Sequence, residues 1–318
     1  MQYLTMATTN ILNLIGNTPL VSVNGFNPNF PEVEIFAKLE YFNPGGSVKD
    51  RTALAMIEDA ERSGLLTKDK IILEATSGNT GIGLAFVAAK KGYRVKLTMS
   101  ESVSLERRKI LSALGAEIVL TPAALSTDGA IDHAQELIKK EPDKYWLADQ
   151  YGNEANWRVH YEHTAMEIWR QTDGEVDMII STLGTTGTCM GIARRFREIA
   201  PHVKVVAVEP CIKHKIQGLK NMEESYVPAI FDRSLPHMIV NVKDEEAFDA
   251  ARKLALKEGV FVGMSSGAAM AVALELASVL KKGKIVAIFP DGGERYLSTS
   301  LFCVARIMEA KESQIKQA

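Results

Sequence analysis

The stretch Lys70-Ile71-Ile72-Leu73-Glu74-Ala75-Thr76-Ser77-Gly78-Asn79-Thr80-Gly81 sets the pattern of the whole chain. Lys70–Glu74 is a short, nearly apolar run, as expected of a strand covered on both faces. A polar turn with glycine follows, and Gly81–Lys91 then reads as a helix. The same unit recurs on either side. Strands are expected at Glu34–Leu39, Val95–Met99, Ile118–Leu120, Trp146–Leu147, Met178–Ser181, Val203–Val208, Met238–Val242 and Lys284–Phe289. Helices are expected between them at Arg51–Ser63, Leu105–Leu114, Asp128–Lys140, Asn156–Gln171, Met190–Ile199, Glu245–Glu258, Gly267–Leu280 and Leu297–Lys311. Such alternation predicts an α/β fold built on mostly parallel sheets. Ser104 and Asp244 stand where helix caps belong, and Gly64 and Gly259 where helices should stop.

A chain of 318 residues is long enough for about two domains or lobes, although no shift in composition marks a boundary. The formal net charge of −2 supplies no field to attract nucleic acid or an anionic membrane. No apolar run reaches the ~18 residues that span a bilayer. Met1–Leu20 lacks a basic segment followed by an apolar one, so no signal peptide is expected. Cys189, Cys211 and Cys303 form no C-x-x-C pair, and Cys211 with His214 lacks the second ligand pair that a metal site needs. Sparse thiols fit a reducing compartment, so a cytoplasmic location is expected.

Four loops carry the chemistry. In Asn43-Pro44-Gly45-Gly46-Ser47-Val48-Lys49-Asp50-Arg51, a tight turn delivers Lys49 to the start of a helix. The local positive potential there is expected to lower the lysine pKa, which suits a Schiff-base or general-base lysine. A lone lysine, however, is most often a solvated surface group. Glu74–Gly81 converges hydroxyl, amide and free backbone N–H groups on one spot, as either an anion site or a well-capped turn. Thr182-Leu183-Gly184-Thr185-Thr186-Gly187-Thr188 again joins a strand to a helix. Its glycines admit close backbone approach and its threonines add donors. It lacks both the P-loop pattern and G-x-G-x-x-G, so it fits a cofactor monophosphate better than a nucleoside triphosphate. Gly263-Met264-Ser265-Ser266-Gly267, taken alone, reads as an ordinary serine cap.

Together and in this order, these loops resemble those of the cysteine synthase family, fold type II (tryptophan-synthase-β-like) enzymes that use pyridoxal 5'-phosphate (PLP). The resemblance runs from Ile15-Gly16-Asn17-Thr18-Pro19-Leu20 to Arg295-Tyr296-Leu297-Ser298-Thr299. Each motif is weak alone; the combination is specific. Ser104-Leu105-Glu106-Arg107-Arg108, Asp149-Gln150-Tyr151 and Glu167-Ile168-Trp169 are similar to the B-type branch.

The resemblance implies two αβα lobes, residues 47–155 and residues 1–46 with 156–318, with PLP in the cleft between them. It implies that Lys49 binds PLP as a Schiff base and later acts as the base. Asn79 would bond the ring hydroxyl, Gly184, Thr185, Thr186, Gly187 and Thr188 would hold the phosphate, and Ser265 would face the pyridine nitrogen. Thr76, Ser77, Thr80 and Gln150 would bind the substrate carboxylate. The implied reaction is β-replacement through an aminoacrylate, making L-cysteine from O-acetylserine or O-phosphoserine and sulfide. A cystathionine β-synthase-like condensation, or cysteine breakdown releasing hydrogen sulfide, would use the same machinery. Lys220 lies where the phosphoserine-using branches carry an arginine, so it is either a partner for substrate phosphate or a solvated lysine. Asp232 and Glu294 are further candidates for the pocket mouth. The expected partners are an amino acid and sulfide or another thiol, with a homodimer as the assembly; serine acetyltransferase is not favoured.

A nucleotide-linked dehydrogenase is disfavoured by the missing G-x-G-x-x-G, and a bare binding module has no need of a Schiff-base lysine. Colourless protein that takes up no PLP excludes the enzyme reading. With a neutral hydroxyl facing it, the pyridine nitrogen should stay largely unprotonated. Ser265→Asp should therefore change the visible spectrum of bound PLP, and an unchanged spectrum would remove Ser265 from that position.

Overall fold

The computed structural model describes residues 8–26, 29–76 and 78–302. In chain order the strands are β1 (Leu20–Ser22), β2 (Val33–Leu39), β3 (Ile71–Ala75), β4 (Arg94–Ser100), β5 (Glu117–Thr121), β6 (Tyr145–Leu147), β7 (Met178–Thr182), β8 (Lys204–Pro210), β9 (Met238–Val242) and β10 (Gly283–Phe289). The helices are α1 (Lys49–Arg62), α2 (Asn79–Lys91), α3 (Leu105–Ala113), α4 (Ser126–Lys140), α5 (Ala155–Val159), α6 (Ala165–Gln171), α7 (Gly187–Ile199), α8 (Asp244–Glu258) and α9 (Met264–Leu280).

The strands form two sheets, ordered β1-β2-β10-β7-β8-β9 and β5-β4-β3-β6. Among the described strands every pairing is parallel except that of β1 with β2. Each sheet is the middle of three layers, because side chains alternate from face to face along a strand. In the larger sheet, Ile180, Val206, Ile285 and Phe289 meet α8 and α9, while Ile179, Val205, Val286 and Ile288 meet α6 and α7. In the smaller sheet, Ile72 and Leu97 pack towards α1 and α2, while Ile71, Leu73 and Ala75 pack towards α4. Burial on both faces explains the unbroken apolar runs in the sequence.

Several expectations needed correction. Strand β1 was not expected; it is a three-residue edge with exposed Val21, too short to show a pattern. The helix expected at Asn156–Gln171 is interrupted by a π turn at His160–Thr164. There α7 crosses so closely that a methyl on Gly191 would collide with the Trp157 carbonyl and His160. Asp244 starts its helix instead of capping it, and Glu246 turns back to accept from the Lys243 N–H. Leu297–Phe302 turns without forming helix, and the rest of the helix expected there lies outside the described residues.

A buried ion network joins the N-terminal segment, β2, α1 and α6. Lys38 Nζ donates to Glu167 (2.7 Å), to the Thr18 carbonyl (2.7 Å) and to Gln171 (2.8 Å). Arg51 grips Glu40 through Nε (2.7 Å) and Nη2 (2.9 Å), and Glu167 through Nη1 (2.6 Å) and Nη2 (2.7 Å). Two cations thus face two carboxylates where almost no water reaches. Burial pushes the Glu167 carboxyl up, but Arg51 and Lys38 outweigh it and hold it at about 2.

Removing one charge from such a network strands its partners, at a cost of about 3–5 kcal/mol. Glu167→Gln should therefore lower the denaturant midpoint by that much stability. The carboxyl is depressed in the folded state, so its contribution is complete above its ordinary 4.5 and fades as the pH falls towards 2. Acid titration of wild type and variant should converge across that window, and parallel curves would refute the assignment.

Candidate active site

The loops leaving the carboxyl ends of β2, β3, β6, β7 and β10 meet around a cavity of about 580 Å3. Ligands in α/β sheets bind at such ends. Lys49, Asn79, Gly184, Thr185, Thr188 and Ser265 line it, as do Thr76, Thr80, Gln150 and Lys220. Thr186 and Gly187 lie just behind, in the same turn, and Ser77 lies outside the described residues. A second cavity, of about 550 Å3, opens between α1, α5 and α6, where the Arg51–Glu167 pair is already closed and no strand-end loop reaches.

Lys49 is the first residue of α1. Its side chain is half-buried and faces the cavity, with Nζ donating to Thr185 Oγ1 at 3.2 Å. Burial lowers its pKa to about 8, and the Asp291 carboxylate opposes that fall. The lowered pKa expected from the helix end is present, but its main cause is burial. Beside it, burial pushes the Asp50 carboxyl up to about 7, although the Gly45 N–H donates to it at 2.5 Å.

Asn79, the first residue of α2, is held at both ends. Its Oδ1 accepts from Arg295 Nη1 at 2.5 Å, and its Nδ2 donates to Asp291 at 2.6 Å. Tyr296 donates its hydroxyl to the same Asp291 oxygen at 2.7 Å. The amide is thereby fixed in one orientation, with one N–H left for a ligand.

The loop from Gly184 to Thr188 forms the N-terminus of α7, where unpaired N–H groups favour an anion. Thr186 is the turning residue, with φ +71°. A methyl on Gly184 would stand 2.5 Å from the Gly218 carbonyl. Behind the loop, Asn156 Nδ2 donates to Thr185 Oγ1 at 3.1 Å, and the His160 ring sits 3.2 Å from Thr188 Oγ1. Burial and the nearby Arg51 and Lys49 hold the His160 pKa well below 6.5, so the ring is neutral.

Thr76 Oγ1 accepts from the N–H groups of Gly78 (3.1 Å) and Gly81 (3.2 Å), folding its own loop. Thr80 donates to Gln150 Oε1 at 2.5 Å, and Gln150 leans on the buried Glu74. Ser265 sits in the first turn of α9, buried but for its face on the cavity. Lys220 is no solvated lysine: its side chain is 12% exposed, 5.2 Å from the centre of the Tyr151 ring and 4.0 Å from Asp128. Asp232 and Glu294 do not line the cavity. The first bonds Ser234, and the second pairs with Arg295.

Sequence reasoning missed Asp291, Tyr296, Glu74, Asn156 and His160. Asp291 had a signal, because Pro290-Asp291-Gly292-Gly293 follows β10 as the other loops follow their strands. Tyr296 lines the cavity and stood in the Arg295-Tyr296-Leu297 stretch with no role assigned to it. Glu74, Asn156 and His160 act from behind the loops and carry no local mark of that role.

Residues 11–291 match the family described as pyridoxal-phosphate dependent enzyme. The chain is 49% identical over 303 residues to the cysteine synthase of Aquifex aeolicus (strain VF5), covering 93% of each chain. It is 43% identical over 288 residues to cysteine synthase B of Escherichia coli (strain K12), covering 91% of this chain and 94% of that one. It is also similar to the crystal structure of a hydrogen sulfide-producing enzyme from Fusobacterium nucleatum, with a TM-score of 0.87 and 41% identity, covering 92% of this chain and 100% of that one.

Because the atom nearest an added Gly184 methyl is backbone, the loop itself must move to admit it. Gly184→Ala should weaken PLP binding by about tenfold, measured by titrating the apoprotein. An unchanged affinity would dismiss this loop as the anion cradle.

Proposed function

Since the chain belongs to the pyridoxal-phosphate dependent enzyme family, we propose that it makes L-cysteine by β-replacement, from an O-activated serine and sulfide. The observation that carries this reading is Lys49 Nζ in the cavity, 3.2 Å from Thr185 Oγ1 in the glycine-threonine turn. The residues present suit PLP. Thr186 Oγ1 is buried without a partner among the described residues, at the N-terminus of a 13-residue helix. A methyl on Gly184 would collide with the Gly218 carbonyl, so glycine lets these two loops of the cavity wall close on each other.

When bound, PLP supplies the electron sink that makes an amino acid's α-proton acidic and lets its β-substituent leave. Lys49 would hold the cofactor through its amine, and as a free amine its Nζ would take the substrate's α-proton. With a pKa of about 8, about one lysine in ten is the free base at pH 7, against about one in three thousand for an ordinary lysine. Asn79 keeps one N–H towards the cofactor because Arg295 and Asp291 fix its other groups. Gly184–Thr188 positions the phosphate. Thr76, Thr80 and Gln150, with Ser77, receive the α-carboxylate, and Ser265 offers a neutral hydroxyl to the ring nitrogen.

Lys220 supports a substrate with an anionic leaving group. It is a mostly buried cation in the cavity wall, and its counter-charge Asp128 stands 4.0 Å away and is itself 61% exposed. O-phosphoserine would bring two negative charges to it, and O-acetylserine none. Similarity to the hydrogen sulfide-producing enzyme favours cysteine breakdown as the second reading. The assembly in this reading is a homodimer.

A panel of O-acetylserine, O-phosphoserine, serine and cysteine tests the reading, with sulfide present and absent. Cysteine formed from either O-activated serine supports it, whereas sulfide released from cysteine with no synthesis replaces it by the second. Lys220→Ala should lower kcat/KM for O-phosphoserine about 10–100-fold, the worth of a charge-assisted contact, and leave O-acetylserine nearly unchanged. Equal effects on both would refute phosphate recognition.

A further inference from the structure

Thr80 and Gln150, which receive the carboxylate in the reading above, are closed on each other in this structure. The Thr80 hydroxyl donates to Gln150 Oε1 at 2.5 Å. Gln150 Nε2 spends its two hydrogens on Glu74 Oε1 (3.1 Å) and on the Ala75 carbonyl (2.8 Å). The Gln150 backbone N–H goes to the other Glu74 oxygen at 3.3 Å. A carboxylate entering here therefore meets an acceptor oxygen, and no donor from either side chain is free.

Turning the Gln150 amide over would present Nε2 to the cavity and release the Thr80 hydroxyl as a second donor. It would also bring Oε1 against the Glu74 carboxylate and the Ala75 carbonyl, acceptor against acceptors. A proton on Glu74 removes the charged half of that conflict, because the acid then donates to Oε1 and leaves only the neutral Ala75 carbonyl opposed to it. Glu74 is 2% exposed and sits on β3, directly beneath the loop.

We propose that Glu74 is a positioning residue that must carry a proton, taken from solvent where it is ionised, for the substrate's α-carboxylate to bind, so that the Gln150 amide can turn from acceptor to donor. This rests on the carboxylate site assigned above.

The surroundings make the proton accessible. Burial pushes the Glu74 carboxyl up to about 8, the Gln150 N–H pulls it back, and the Asp149 carboxylate adds to the rise. Tyr151 and, through it, Asp128 are the other titratable groups on this side. The paired residue on β4 is the uncharged Leu97.

Propionate, which has the carboxylate but no amine to titrate, is the probe, added to PLP-loaded wild type and Glu74→Gln. The variant keeps a permanent donor towards Gln150. In wild type the dissociation constant, read from the visible band of bound PLP, should rise about tenfold per pH unit above about 8. In Glu74→Gln it should lack that rise. Calorimetry in two buffers of different ionisation heat should find wild type taking up about one proton more than the variant near pH 9. Equal uptake and equal pH profiles overturn the role of Glu74 alone. A visible band that propionate leaves untouched in wild type overturns the carboxylate site and this proposal with it. If Glu74→Gln does not fold, Glu74→Met, of similar length and without a proton, takes its place with the same two readings.

Discussion

Arg51 lies two residues beyond Lys49 and places both carboxylates of the buried network on one guanidinium. Where that guanidinium is held, α1 must begin, and so must the side chain of Lys49. From the other side, Gly83 of α2 lies so close that a methyl on it would stand 2.9 Å from the Lys49 carbonyl. The root of the lysine is therefore gripped from two directions, and only its flexible end is left to move. Buried ion pairs are weak evidence for stability, but they penalise wrong arrangements heavily. Here the network also closes the N-terminal segment through Thr18, whose hydroxyl donates to Glu40 at 2.7 Å. Four parts of the chain, one of them 116 residues beyond Arg51, must be in place before all its charges are matched.

Around the cavity, one cause brings unlike groups to similar pKa values. Burial raises Asp50 to about 7 and Glu74 to about 8, and lowers Lys49 to about 8. Their ordinary values run from 3.8 to 10.5. An acid and a base that would differ greatly in water thus come within reach of each other near neutrality. Charges that must stay charged are treated differently: Glu167 has two cationic partners and is held near 2.

The alternation of strands and helices was legible because both faces of each sheet are covered, which makes the strands plainly apolar. The strand-end loops were legible because glycine, threonine, serine and asparagine cluster where chain reversal and close approach require them. What escaped the sequence depends on distance. Asn79 and Asp291 are 212 residues apart, and Glu74 and Gln150 are 76 apart. No local pattern records such pairs. The lowered pKa of Lys49 was anticipated, but its cause was not, since burial comes from tertiary packing and not from the helix on which a residue sits. Lys220 shows the same limit: its residue type was visible, and its place in a cavity wall was not.

The π turn at His160–Thr164 divides one helical stretch into two registers. At one end Asn156 and His160 support the Gly184–Thr188 turn; downstream, Glu167 enters the ion network. A residue removed from a helix rotates all that follows by about 100°. Deleting one residue from the π turn would return it to a plain α-helix and leave Glu167 near its present face, because the wide turn is where one extra residue is absorbed. Deleting one from the α-helix on either side would swing Glu167 away from Arg51. The segment can therefore lose a residue at the π turn itself, whereas an insertion or deletion in the flanking α-helix would uncouple the support of the Gly184–Thr188 turn from the network around Arg51.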